Sequence, residues 1–164
     1  MALIYISVGS NMNRDYHIRQ GVSALQQHLG ALQLSSVYES EAVGFSGDSF
    51  YNLVVGATTT LSIAECKTLF KHIEDQYGRD RTAERFSGRT LDLDLLTFDS
   101  LICQQPVQLP RAEITENAFV LWPLAEIAPE QIHPLTQQTY AELWQNYAKA
   151  QKLWPVPFDW SHLQ

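Results

Sequence analysis

The sequence predicts an α+β domain with a ferredoxin-like βαββαβ core: helices packed on an antiparallel sheet, followed by an irregular C-terminal third. Three observations carry this. Apolar, β-rich runs at residues 2–8, 32–38, 50–60 and 90–98 alternate with two segments of helical period in the order β-α-β-β-α-β. The second helical segment opens on Ser62 with Glu65 three residues later, a capping box. Beyond residue 100, Pro106, Pro110, Pro123, Pro129 and Pro134 break the chain into short pieces.

Each element has its own reason. Ala2 to Val8 reads as a buried strand, closed by a turn at Gly9-Ser10-Asn11. Arg14 to Leu29 carries Ile18, Val22, Leu25 and Leu29 at helical spacing, with Gly30 as its stop. Leu32 to Tyr38 reads as a strand, and Glu39 to Ser49, with Gly44 and Gly47, as a loop. Phe50 to Thr60 alternates and is rich in Val and Thr, which predicts a long strand. A helix is expected over Ser62 to Tyr77, a polar loop over Asp80 to Gly88 and a strand over Thr90 to Phe98. Ala118 to Ile127 and Thr139 to Lys149 have helical character, and Pro155 and Pro157 point to an irregular tail.

One domain over residues 1–164 is expected, since this length suffices for a proper core. Net charge −7 and a pI near 5.1 argue against general binding to nucleic acid or an anionic membrane. No apolar run approaches a membrane span and no signal peptide is apparent. Cys66 and Cys103 lie far apart in no metal-ligand spacing, as expected of reduced thiols in a cytoplasmic protein.

The chemistry is concentrated in one stretch. Arg79, Arg81, Arg85 and Arg89 are four of the chain's eleven basic residues, and Asp92 and Asp94 follow at once. In a strand these two aspartates share a face while Leu91, Leu93 and Leu95 point the other way. Adjacent carboxylates repel unless a cation lies between them, and magnesium is commonly held by one or two carboxylates plus substrate phosphates. Arginines suit planar, bidentate contacts to phosphate. The pattern points to transfer of a phosphate-containing group. A solvated polar strand face is the plain alternative. Glu74, on the last turns of the second helix, is either a third carboxylate or a surface residue. Phe50 and Asn52 share a strand face, where a ring and an amide can stack on a flat heterocycle and read its edge. Phe119 and Trp122 suit either core or platform. The chain has no Walker A lysine motif, dinucleotide glycine motif, nucleophile elbow or His-Glu-x-x-His zinc motif.

The runs Tyr5-Ile6-Ser7-Val8-Gly9-Ser10-Asn11, Ser40-Glu41-Ala42-Val43-Gly44-Phe45, Phe50-Tyr51-Asn52, Gly88-Arg89-Thr90-Leu91-Asp92-Leu93-Asp94-Leu95-Leu96 and Phe119-Val120-Leu121-Trp122-Pro123-Leu124 together resemble the 6-hydroxymethyl-7,8-dihydropterin pyrophosphokinase family. The resemblance runs from Tyr5 to about Glu130. It implies transfer of pyrophosphate from ATP to the hydroxymethyl group of the pterin in folate biosynthesis, releasing AMP, with two magnesium ions. By resemblance Asp92 and Asp94 hold the metals, and Phe50 and Phe119 sandwich the pterin. Asn52 reads its amide edge with backbone groups of Ser40, Glu41 and Val43. Arg79, Arg85 and Arg89 are the expected catalytic arginines, and Glu74, Arg79, Arg89 and Arg111 the nucleotide-binding residues. The expected partners are the small pterin and ATP, with no nucleic acid, no membrane and a monomeric chain.

Departures from the family pattern fall on the ATP side. Arg111 stands where a histidine is common, Ala112 at an aromatic position and Asn117 at an arginine. Thr82 and Phe86 replace a basic residue and a tryptophan. Either Arg111 restores lost charge, or the chain is a pterin-binding paralogue of weak, altered or absent activity. A ferredoxin-like interaction domain is a third reading, which the aspartate pair disfavours.

Overall fold

Every named strand pairing in the sheet is antiparallel. The computed structural model describes residues 1–40, 49–78 and 90–163. Its strands are β1 (Ala2–Ser10), β2 (Gln33–Leu34), β3 (Val37–Ser40), β4 (Phe50–Thr59), β5 (Asp92–Phe98) and β6 (Leu153–Val156). Its helices are α1 (Arg14–Leu29), α2 (Ile63–Gln76), α3 (Glu113–Glu116), α4 (Ala118–Ile127) and α5 (Tyr140–Gln145). The strand order is β5-β1-β4-β3-β6, with β2 also paired to β4. The first four strands of that path are those of a ferredoxin-like sheet, as the sequence predicts.

The side-chain alternation that predicts the strands also sets their two faces. Ile4, Ile6 and Val8 of β1, Leu53 and Val55 of β4, and Leu93 and Leu95 of β5 meet Ile18, Val22 and Leu25 of α1 and Phe70 and Ile73 of α2 in one core. The opposite face, with Tyr5, Val54 and Leu96, packs on Ile114, Val120, Leu121 and Leu124 in a second core. Leu95 and Leu96 point to different cores, as strand neighbours do, and the β1–β5 register slips at Leu96, between Tyr5 and Ile6. One extra residue there turns β5 over locally. The sheet is therefore covered on both faces, which is why its central strands read as nearly continuous apolar runs.

Several boundaries differ from expectation. Gly9 and Ser10 belong to β1, paired with Asn52 and Tyr51, and do not form the expected turn. The expected strand over Leu32 to Tyr38 is two pieces, because Ser35 interrupts it by donating its backbone N–H to the Val54 carbonyl while its hydroxyl accepts from Val54 N–H. Glu39 and Ser40, expected in a loop, extend β3, while 41–48 lie outside the described residues, as does the expected loop over Asp80 to Gly88. The Ser62–Glu65 capping box is present in both directions. Thr139 and Glu142 make a second one at the start of α5. That helix stops at Gln145 and not Lys149, because Tyr147 stacks on Trp144 and donates its hydroxyl to the Glu116 carbonyl. The tail expected to be irregular holds β6, which pairs with β3 along the edge of the sheet, where Pro155 is tolerated.

Candidate functional site

Three strands bring the predicted side chains onto one face. Gly9 on β1 is paired with Asn52 of β4 on one side and Asp92 of β5 on the other. Ser7, two residues earlier, is paired with Asp94. Asn52, Gly9 and Asp92 thus form a row across the sheet, with Asp94 next along β5. Asn52 is 5% exposed, and its Nδ2 donates to Ser40 Oγ at 3.2 Å. Phe50 is paired with Ser40 at the end of β3. Phe119, at the start of α4, is half-buried against the second core. The structure therefore places Phe50, Asn52, Ser40, Asp92, Asp94 and Phe119 on the α4 side of the sheet.

A cleft of about 690 Å³ runs along the outer edge of β5, lined by α2, Asp92 to Leu95, Pro106, Val107 and Arg111. Glu74 is buried, and its Oε2 accepts the Leu93 backbone N–H at 2.8 Å. It is a fixture of the β5 edge, so the surface-residue alternative is wrong. Arg111 Nη2 lies 2.8 Å from Glu113 Oε2 and 3.6 Å from Asp94 Oδ1. Burial lowers the Arg111 pKa, but the charges of Asp94 and Glu113 outweigh it and hold the guanidinium above its ordinary value. Arg111 is thus a fixed cation beside the aspartate pair.

The cleft also holds Lys67 and Lys71, which sequence reasoning missed. The signal was present: 67, 71 and 74 recur at i, i+4 and i+7 on one face of α2. Lys67 Nζ donates to the Pro106 carbonyl at 3.0 Å, tying α2 to the opposite wall. Glu41, Val43, Arg79, Arg81, Thr82, Arg85, Phe86 and Arg89 lie outside the described residues.

The described residues contain no group of three or more His, Cys, Asp or Glu side chains able to hold a metal. Asp92 and Asp94 supply hard oxygen donors from one strand face and leave other coordination positions to phosphate oxygens and water. That donor set fits magnesium bound together with its substrate.

The fold and site are those of an α+β domain with a carboxylate pair on one sheet face beside a cleft bearing Lys67, Lys71 and Arg111, an arrangement suited to a magnesium-bound phosphate ligand. The model of the family described as 7,8-dihydro-6-hydroxymethylpterin-pyrophosphokinase (HPPK) matches residues 5–129, and the chain belongs to that family. A 2-amino-4-hydroxy-6-hydroxymethyldihydropteridine pyrophosphokinase of Aquifex aeolicus is 33% identical over 147 residues, 87% of this chain and 90% of its own. The protein of the same name from Bacillus subtilis is 37% identical over 133 residues, 78% of this chain and 79% of its own. A folate synthesis bifunctional protein of Chlamydia caviae is 34% identical over 138 residues, 79% of this chain and 31% of its own. Among solved structures, the Plasmodium falciparum HPPK-DHPS triple mutant with pteroate superposes with a TM-score of 0.73. It is 13% identical, with 89% of this chain and 43% of that chain covered, a likeness of fold.

The chain is accordingly an ATP-dependent pyrophosphokinase of folate biosynthesis. The comparisons support this over the binding-only paralogue.

Proposed function

We propose that the pterin ring lies between Phe50 and Phe119 on the α4 face of the sheet, with Asn52 reading its hydrogen-bonding edge beside Ser40, Glu41 and Val43. ATP extends along the β5 cleft. The row Asn52–Gly9–Asp92 carries this reading. Two strand spacings put the amide and the first carboxylate roughly 9.5 Å apart. A bicyclic heterocycle held at Asn52 then presents its hydroxymethyl group toward Asp92 and Asp94.

In the transfer, the hydroxymethyl oxygen releases its proton to solvent and forms a bond to the β-phosphorus of ATP. The bond from that phosphorus to the oxygen bridging the α-phosphate breaks, and AMP leaves. Two magnesium ions, when bound by Asp92 and Asp94, supply charge neutralisation across the phosphates. Arg111, with Lys67 and Lys71, offsets the carboxylates of Glu74, Asp92 and Asp94 that share the cleft. Glu74 positions them indirectly, by holding the strand that carries both. Arg79, Arg85 and Arg89 are assigned to the phosphates from their place in the family motif. A cytoplasmic setting suits the chain's free cysteines, Cys66 and Cys103.

Calorimetry and steady-state kinetics on two variants test the reading. Phe119→Ala is expected to weaken a non-reacting pterin about ten- to hundredfold, by analogy with base stacking. Asp94→Asn is expected to cut turnover by about a hundredfold or more, since even outer-shell partners of a metal cost 10–100-fold. Normal pterin affinity in the first variant, or normal turnover at ordinary magnesium in the second, refutes the assignment concerned.

A further inference from the structure

The α1 side of the sheet, behind the proposed pterin subsite, holds a row of three paired residues. Trp154 of β6 is paired with Glu39 of β3, and Glu39 with Tyr51 of β4. Arg14, the first residue of α1, lies over this row. Its Nη2 is 2.5 Å from Glu39 Oε2, and its guanidinium carbon sits 3.9 Å from the Tyr51 ring centroid. Its Nη1 donates to the Ser49 carbonyl at 2.8 Å. The other carboxylate oxygen of Glu39 accepts from Trp154 Nε1 at 3.0 Å.

These contacts grip the backbone that presents the front face. Ser49 immediately precedes Phe50. Glu39 immediately precedes Ser40, whose hydroxyl accepts from Asn52. Arg14 therefore clamps the end of β3 to the start of β4, the two strand ends that flank residues 41–48, without touching the front face itself. Charge-assisted hydrogen bonds and a cation–π contact are strong enough for this task. The ion pair is also partly shielded, with side chains 27% and 20% exposed.

We propose that Arg14 is a positioning residue for the pterin subsite, and that Trp154, which lies beyond the family-matched residues 5–129, reinforces it through Glu39. The inference rests on the placement of the pterin at Phe50 and Asn52. Holding Ser40 and Phe50 in place before substrate arrives removes part of the ordering cost of binding. The clamp acts on pterin affinity and leaves ATP affinity and the chemical step alone.

The test is two-substrate steady-state kinetics on the full chain for Arg14→Ala, Trp154→Phe, the double variant and Asn52→Ala, each checked for a cooperative thermal transition. Arg14→Ala is expected to raise the KM for the pterin about three- to tenfold, the size of one or two immobilised side chains. The KM for MgATP and kcat should stay within about twofold of the parent. Trp154→Phe keeps an aromatic ring but loses the indole N–H and part of the ring surface, so it should give a smaller shift in the same constant. The double variant should fall short of the product of the singles, because both act through Glu39. If Asn52→Ala raises the pterin KM while Arg14→Ala and Trp154→Phe do not, the clamp is refuted and the site stands. If Asn52→Ala has no effect, the pterin placement fails and the clamp with it. Equal shifts in both KM values, or a change in kcat alone, also refute it. Should Arg14→Ala fail to fold, Trp154→Phe decides by the same criteria.

Discussion

The amide of Asn52 lies directly over Gly9: a Cβ on that glycine would stand 2.7 Å from Asn52 Oδ1. Gly9 is an ordinary strand residue, so its lack of a side chain serves space rather than backbone freedom. Asn52 is anchored on its other side by Ser40, which limits how far it can withdraw. In Gly9→Ala the flexible end of Asn52 is expected to swing off Ser40. Losing a hydrogen bond of about 0.5–1.5 kcal/mol to the pterin corresponds to roughly a three- to tenfold weaker affinity. The KM for MgATP should be unchanged. Calorimetry with a non-reacting pterin checks it, and unchanged affinity would show that Asn52 does not read the ring.

Period and capping made much of this fold legible. The bounds of α1 follow from Ile18, Val22, Leu25 and Gly30, and α2 from its capping box. The period of two put Asp92 and Asp94 on one face, and Phe50 with Asn52 on another strand. What stayed hidden depends on distant partners. β6 is a strand because the β3 edge pairs with it, and no local pattern in Leu153-Trp154-Pro155-Val156 announces that. The α4 helix, apolar almost all round, does not declare which side of the sheet it covers. Glu74 looked ambiguous because its acceptor role needs Leu93, 19 residues away. Arg14 looked like any helix-start residue because its partner carbonyl lies 35 residues on.

Glu74 makes a prediction about stability. Its carboxylate accepts a buried backbone N–H on the edge of the sheet. Glu74→Ala leaves that donor without this acceptor and is expected to cost about 1–3 kcal/mol. Glu74→Gln keeps an acceptor oxygen and should recover much of the loss. Urea unfolding of the two variants is the check. Equal destabilisation would mean that the charge, and not the Leu93 contact, sets the role.

His133 ties stability to pH. It is 3% exposed, and its Nδ1 accepts backbone N–H groups of Leu135 and Thr136, both at 3.2 Å. Burial holds its pKa below the usual value of 6.5. A folded pKa below the unfolded one means that the unfolded chain takes the proton more readily. The stabilisation is complete above about pH 6.5 and is lost as pH falls through the lower folded value. Tm measured against pH for the parent and His133→Gln should show a steeper fall in the parent below pH 6.5, since other groups titrate in both. Parallel curves would exclude the histidine.

Arg111 and Glu113 bear on the proposed ATP cleft, at a position where the resemblance leads one to expect a histidine. Arg111 is shared between Asp94 at 3.6 Å and Glu113 at 2.8 Å, so its charge is partly spent on Glu113 before any nucleotide binds. If Arg111 supplies the charge absent at Asn117, removing it should cost a charge-assisted contact of about 1.5–3 kcal/mol, or roughly ten- to a hundredfold in the KM for MgATP. Pterin binding should not change in Arg111→Ala. Glu113→Gln has the opposite sign: it releases Arg111 from a competing carboxylate and should lower that KM. Asn117→Arg should lower it as well if the missing arginine limits the parent. Kinetics of the three variants across MgATP concentrations separate the cases. A Glu113→Gln variant that binds MgATP more weakly would mean that Glu113 orients Arg111 toward the phosphates and does not compete for it. An unchanged KM in all three would remove Arg111 from the nucleotide site.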